Sequence, residues 1–280
     1  MTSPAKTASD NGKPPFWTAF RREIRHLATT LDLAAWTSVV FEVLGVEEAL
    51  GDPAPHRDFA LQRGEERLVE CRLTFPGVSE QERDSACGGR TVRGQCFSSC
   101  PSRRIATLEA LLALEPGDDR DRSLLLALGN ALGVAAGRCG ATVHCRDGGP
   151  ERCARRMAQE VAARYGSPGL PVGIVGYQPA ILGAMTETFG AASVRVLDLN
   201  PQNVGEIRRG VRIGHGENDL EPFAQECGLA LVTGSTLAND SFSHLQAAFT
   251  RHGTPMLFFG TTAALGAEVL GVERWCFESS

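Results

Sequence analysis

Apolar residues follow two different rhythms along this chain, and the change falls near residue 170. Across residues 16–50, Phe20, Ile24, Leu27, Leu31, Leu33 and Trp36 recur at three- and four-residue spacing. That spacing predicts a helix closed by the Gly51-Asp-Pro53 turn. Residues 66–75 alternate enough for a half-buried strand ending at Pro76-Gly77. Residues 78–101 are polar and glycine-bearing and keep neither period, so they read as a long loop, a feature that is usually functional or disordered. Residues 102–114 and 121–136 read as helices, 140–145 as a short strand and 151–165 as a helix. Gly166-Ser-Pro-Gly-Leu-Pro171 cannot continue a helix and marks a boundary.

Beyond it, short continuous apolar runs alternate with helical patterns. Strands are expected at 172–176, 193–198, 229–233, 255–259 and 272–276, and helices at 179–189 and 237–251. Such alternation signals a parallel, doubly wound sheet. The expected class is α/β: a Rossmann-like parallel sheet domain at 169–280, preceded by an α+β domain at 16–168 and a disordered tail at 1–15.

In open α/β sheets, ligands bind at the carboxyl ends of strands. Those ends carry Gly176-Tyr177, Asp198-Leu-Asn-Pro201, Thr233-Gly-Ser-Thr236 followed by Asn239 and Asp240, and Gly260-Thr-Thr262. Their hydroxyls and amides form one rim suited to an oxygen-rich or anionic group. Each end also has a plain turn or capping reading. The first turn lacks G-x-G-x-x-G, and Tyr177, Gln178 and Pro179 stand where a pyrophosphate needs close approach. Asp198 follows Gly176 by 22 residues, where a ribose-binding acid would sit; the alternative is that it caps its loop. His215 lies in a polar loop and His244 on a helix near the rim.

Charge and cysteine content narrow the chemistry. The 280-residue chain carries a formal net charge of −5, which argues against a general nucleic-acid or anionic-membrane binder. No apolar run reaches the ~18 residues of a membrane span. The opening residues lack an apolar signal-peptide core, so a cytoplasmic location is the default expectation. Nine cysteines, an odd number, fit reduced thiols rather than a disulfide framework. Cys87, Cys96 and Cys100 in the loop, with His144, Cys145 and Cys153, are candidate ligands for a transition metal or an iron–sulfur cluster. No pair has C-x-x-C spacing, so a redox or persulfide-carrying thiol and inert burial stay open. Cys71, Cys139, Cys227 and Cys276 sit in apolar periodic segments and read as core.

Four short motifs occur in order: Val172-Gly-Ile-Val-Gly-Tyr177, Asp198-Leu-Asn-Pro201, Leu231-Val-Thr-Gly-Ser-Thr-Leu-Ala-Asn239 and Leu257-Phe-Phe-Gly-Thr-Thr-Ala-Ala264. Through them residues 172–276 resemble the heavy-metal chelation domain family, whose function is largely unknown. The resemblance implies a Rossmann-like C-terminal domain packed on a smaller α+β domain similar to the enolase N-terminal fold. Leu126-Ala-Leu-Gly-Asn-Ala-Leu132 looks like the Gly/Ala/Asn helix of that smaller domain. It also implies a ligand cleft between the domains at Tyr177, Asn200, Thr233, Gly234, Ser235, Thr236 and Asn239, to which the rim reading adds Asp198, Gly260 and Thr261. Where the family often has Gly-Pro, this chain has Gly260-Thr261.

The resulting expectation is a metal-handling or metal-dependent accessory protein. It would bind a small anionic ligand in that cleft, in cofactor or metallophore biosynthesis. Its partners would be a small molecule or metal ligand, with no nucleic acid or membrane, and a homodimer is an allowed assembly. The alternative is an enzyme with a cysteine nucleophile and a nucleotide-type cofactor or small substrate, Arg90, Arg93, Arg103 and Arg104 surrounding its loop thiols. A third reading is a non-catalytic binding module.

Overall fold

The computed structural model describes residues 15–52, 59–64, 66–75, 90–166, 169 and 171–280. Cys87 and, apart from Pro15, the expected tail lie outside these described residues.

Helix α1 (Phe16–Thr30) buries Phe20, Ile24 and Leu27 on one stripe. It does not continue to residue 50 as the spacing predicts. Asp32 takes a left-handed conformation (φ 51°), and the Leu33 amide donates back to the Ala28 carbonyl at 3.1 Å, which stops the helix in a Schellman turn. The next residues form strand β1 (Ser38–Leu44), whose Val39 and Phe41 face inward, followed by the short helix α2 (Val46–Leu50).

Helix α3 (Ala60–Arg63) leads to strand β2 (Arg67–Phe75), which pairs along its whole length with β3 (Arg90–Ser98). The expected loop at 78–101 therefore holds a strand. Its signal is hidden because Gly94 occupies an inward position. A Cβ there would stand 2.3 Å from the Ala127 carbonyl oxygen and the Ala131 amide, so a helix backbone lies directly on the strand. That helix is α5 (Asp119–Ala135), capped by Asp118, which accepts from the Asp121 amide at 2.8 Å. The expected helix at 102–114 starts instead as edge strand β4 (Arg104–Thr107), paired with β1, and then turns into α4 (Leu108–Leu112). The first sheet is antiparallel, in the order β3-β2-β1-β4.

Residues 140–145 form no strand. They are pinned by Arg274, which donates to the Gly140 and Ala141 carbonyls, and by reciprocal backbone bonds between Val143 and Ser280. Helix α6 (Gly149–Tyr165) follows.

The second sheet contains β5 (Val172–Val175), β6 (Val194–Asp198), β7 (Ile207–Arg208), β8 (Val211–His215), β9 (Leu229–Thr233), β10 (Met256–Phe259) and β11 (Arg274–Trp275). Its order is β11-β10-β9-β5-β6-β8-β7, parallel except for the terminal β7–β8 pair. This α/β sheet bears out the expected fold class. Val172, Ile174, Val194, Val196, Leu229 and Leu231 face a core shared with α6 and α7 (Pro179–Phe189). Val175, Leu197, Ala230, Val232 and Phe258 face the opposite core, shared with α1, α5, α8 (Leu220–Glu226), α10 (Phe242–His252) and α11 (Ala264–Leu270). Each large apolar side chain so buried contributes about 1.5–3 kcal/mol.

Two sequence expectations shift here. The helix expected at 237–251 splits into α9 (Ser235–Ala238) and α10, because Asp240 sits at φ 63° between them. Helix α6 packs with the second sheet although it precedes the Gly/Pro boundary.

Candidate functional site

The carboxyl ends of β5, β6, β9 and β10 open into a cavity of about 960 Å³. Gly176 turns the chain off β5 at φ 88°, and a Cβ there would stand 2.5 Å from Thr233 Cγ2, so both conformation and packing require glycine. Asp198, at the end of β6, braces two turns. Its Oδ2 accepts from the Tyr177 amide at 2.6 Å and its Oδ1 from the Asn200 amide at 2.7 Å. This is the loop-capping geometry. Gln178 caps α7 by accepting from the Ile181 amide at 2.7 Å.

After β9, Thr236 donates its hydroxyl to the Thr233 carbonyl at 2.7 Å. Asn239 Oδ1 accepts from the Ser241 amide and hydroxyl, at 3.1 and 2.7 Å. Asp240 accepts from Trp17 Nε1 at 3.0 Å, which ties α1 to this rim. Of the expected ligand residues, Tyr177, Asp198, Asn200, Thr233, Gly234, Ser235, Thr236, Asn239 and Gly260 line the cavity. Thr261 does not. It is fully buried behind the rim, and its carbonyl accepts from Asn130 at 3.1 Å.

The opposite wall comes from the first sheet, the 142–145 segment and α6. Gln95 orders it: its Oε1 accepts from the His144 amide at 2.7 Å while its Nε2 donates to buried Glu70 at 2.7 Å. The His144 ring stands edge-on to Phe97, with centroids 5.2 Å apart. His144, Cys145 and Cys153 line the cavity. Cys96, expected with them, is fully buried on β3, where desolvation pushes its thiol far above the ordinary range. Cys100 is exposed and does not line the cavity. Of the five candidate metal ligands among the described residues, Cys96 and Cys100 thus stand apart from His144, Cys145 and Cys153. Among the described residues no three His, Cys, Asp or Glu side chains are arranged to hold a metal ion.

One cysteine read as core belongs to this wall. Cys276, just beyond β11, lines the cavity beside Cys145 and Cys153. A hydrogen bond from the Cys153 thiol holds the Cys276 sulfur well below the ordinary thiol range, against the opposing effect of burial and with help from Arg274, Ser279 and the Gly260 backbone. The same bond, then burial, raises Cys153. Burial pushes Cys145 up to about 12. The available sequence signal was position alone, since Cys276 follows a strand of the same sheet and so falls on its ligand-binding edge. Cys71 and Cys227 are buried in the core as expected.

The electrostatics of the lining are one-sided. Among the described residues Glu66, Asp119, Asp198, Glu217 and Asp240 line the cavity, and no lysine or arginine does. A bare anion entering it would meet these carboxylates, of which Asp119 is ion-paired with Arg122, and histidine as the basic side chain of the described lining.

Fold and cleft together define a two-sheet α/β protein with a polar rim facing a thiol-bearing wall. Residues 162–271 match the model of the DUF364 family, described as "Putative heavy-metal chelation". Two solved structures of that family, both of unknown function, are similar to the chain. One, from Pyrococcus horikoshii, is 12% identical over 89% of this chain and 80% of its own, with a TM-score of 0.46. The other, from Desulfitobacterium hafniense DCB-2, is 12% identical over 90% and 83%, with a TM-score of 0.42. No curated protein matches the chain significantly. Among the described residues no helix is long and apolar enough to cross a membrane.

Proposed function

We propose that the protein is a metal-handling accessory protein whose cleft takes a small, oxygen-rich chelator already carrying its metal. The reading is supported by the family description for residues 162–271 and carried by the lining of the cleft. Hydroxyl and amide groups from three strand ends can hold an oxygen-rich molecule, but the carboxylates beside them disfavour it as a free anion. A bound divalent cation offsets the chelator's charge and makes the complex compatible with an acidic cavity. The metal is then cargo, and the small molecule supplies most of its donors. No single cluster of protein ligands is required. Such a protein serves the assembly or delivery of a metallophore or metal cofactor, with the two sheets and their helices framing the cleft.

Calorimetric titration of the full chain with Zn(II) or Ni(II), each alone and premixed with citrate, tests this. The expected result is saturable one-to-one binding of the metal–citrate complex, with citrate alone and metal alone each at least tenfold weaker. Equal binding of the bare metal, stronger binding of free citrate, or no binding in any arm overturns it.

A further inference from the structure

The wall opposite the polar rim carries an apolar patch that a chelating head group does not use. We propose that this patch is a subsite for an aromatic ring, so that the chelator taken by the cleft bears an aryl arm beside its oxygen donors. For the head group the proposal rests on the metal-chelate reading; for the ring it does not.

At about 960 Å³ the cavity stands near the top of the roughly 300–1,000 Å³ range of small-molecule sites, which close over most of a drug-sized ligand. A metal held by a di- or tricarboxylate fills only part of that space. The polar groups suited to such a head gather on the rim, at the ends of β5, β6 and β9. Across from them the lining includes Leu50 from α2, Leu61 from α3 and Phe97 from β3. These three belong to one small cluster with Leu44, Ala49 and Leu68, separate from the two cores that flank the second sheet. Phe59 and half-buried Ala60 extend the patch at the start of α3. Among the described lining residues up to Ser99, Glu66 is the only charged one.

The patch suits a ring better than a flexible alkyl chain. Phe97 is half-buried, and the His144 ring meets it edge-on with centroids 5.2 Å apart, so a third ring adds to an aromatic pair that is already ordered. Tyr177, also half-buried, brings another ring from the rim side. The two sides are tied to each other directly. Arg63 Nη1, at the end of α3, donates to Oδ1 of Asn203, in the turn beyond β6, at 3.0 Å. Asn203 lines the same cavity and is itself buried. Gln95 holds the His144 backbone in place beside Phe97. A wall fixed before the ligand arrives loses little freedom on binding, so most of the gain from burying a ring there appears as affinity.

Calorimetric titration of the full chain with Zn(II) premixed with malonate or with benzylmalonate separates ring from head, because the two chelators share their carboxylates and differ by one benzyl group. The benzylmalonate complex is expected to bind at least tenfold more tightly. In Phe97→Ala and in Ala60→Gln that advantage should shrink below threefold, while the malonate complex binds as it does to wild type, which also shows that the variants keep their fold. N-phenyl-1-naphthylamine, an uncharged aryl probe without a chelating head, tests the ring in the absence of metal. Its fluorescence should rise saturably with wild type, and its binding should weaken at least tenfold in Phe97→Ala. The proposal is overturned if the two zinc complexes bind wild type within threefold of each other, if the naphthylamine does not bind saturably, or if both variants keep the wild-type preference. Failure of every metal complex, citrate included, removes the metal-chelate reading instead, and the naphthylamine result then decides the ring subsite alone.

Discussion

Asn130→Leu is expected to lower the unfolding free energy by about 3–5 kcal/mol, the range for breaking a buried, fully satisfied polar network. Asn130 lies on α5 with no exposed surface. Its Nδ2 donates to the carbonyls of Gln95, Thr261 and Thr262 at 3.0, 3.1 and 3.1 Å, and its Oδ1 accepts from the Leu265 amide at 2.9 Å. One side chain thus joins β3 of the first sheet to the turn after β10 and the start of α11. Leucine has similar volume, so cavity formation is minor and the loss is polar: four backbone groups in a dry core lose this partner together. Asn130→Asp is expected to be no milder, because a carboxylate keeps the acceptor for Leu265 but faces three carbonyl oxygens. Urea denaturation gives the number. A change under about 1 kcal/mol for Asn130→Leu would show that the two sheets are held by apolar packing alone.

The helix carrying Asn130 was legible in the sequence, and so was the parallel sheet, because its strands are continuous apolar runs bounded by glycine and proline. The rim was legible for the same reason, since strand ends in such a sheet share one edge. The first sheet was not. In β3, Gly94 makes room for a helix backbone and Cys96 fills a core position, so the strand shows polar and small residues where alternation expects large apolar ones. The break between α1 and β1 was hidden because Leu31, Leu33 and Trp36 carry the helical spacing past the turn at Asp32. The cysteines misled in both directions. Proximity in sequence grouped Cys96 and Cys100 with Cys145 and Cys153, whereas packing buries the first in the sheet and leaves the second outside the cavity. Cys276 reaches the site through tertiary contacts with α6, more than a hundred residues earlier, and no local period reports that.

Asp198→Ala is expected to cost about 2–3 kcal/mol, since each charge-assisted bond from a backbone amide to a carboxylate contributes about 1.5–3 kcal/mol and this side chain is only partly buried. The two bonds serve different turns: the Tyr177 amide begins the crossover from β5, and the Asn200 amide shapes the exit from β6. Without the carboxylate both turns loosen together, and amide hydrogen exchange at Tyr177 and Asn200 should accelerate while the β9 amides stay protected. Asp198→Asn is expected to fall between, because its single oxygen can accept from one amide while its NH₂ opposes the other. That ordering separates bracing from a direct charge effect. If the carboxylate acted mainly as a negative charge in the cleft, Asn and Ala would behave alike, and removing the charge would improve citrate binding. If it braces the rim, metal–citrate affinity should drop at least tenfold in Asp198→Ala and less in Asp198→Asn. Equal affinities in all three proteins would remove Asp198 and its two turns from the site.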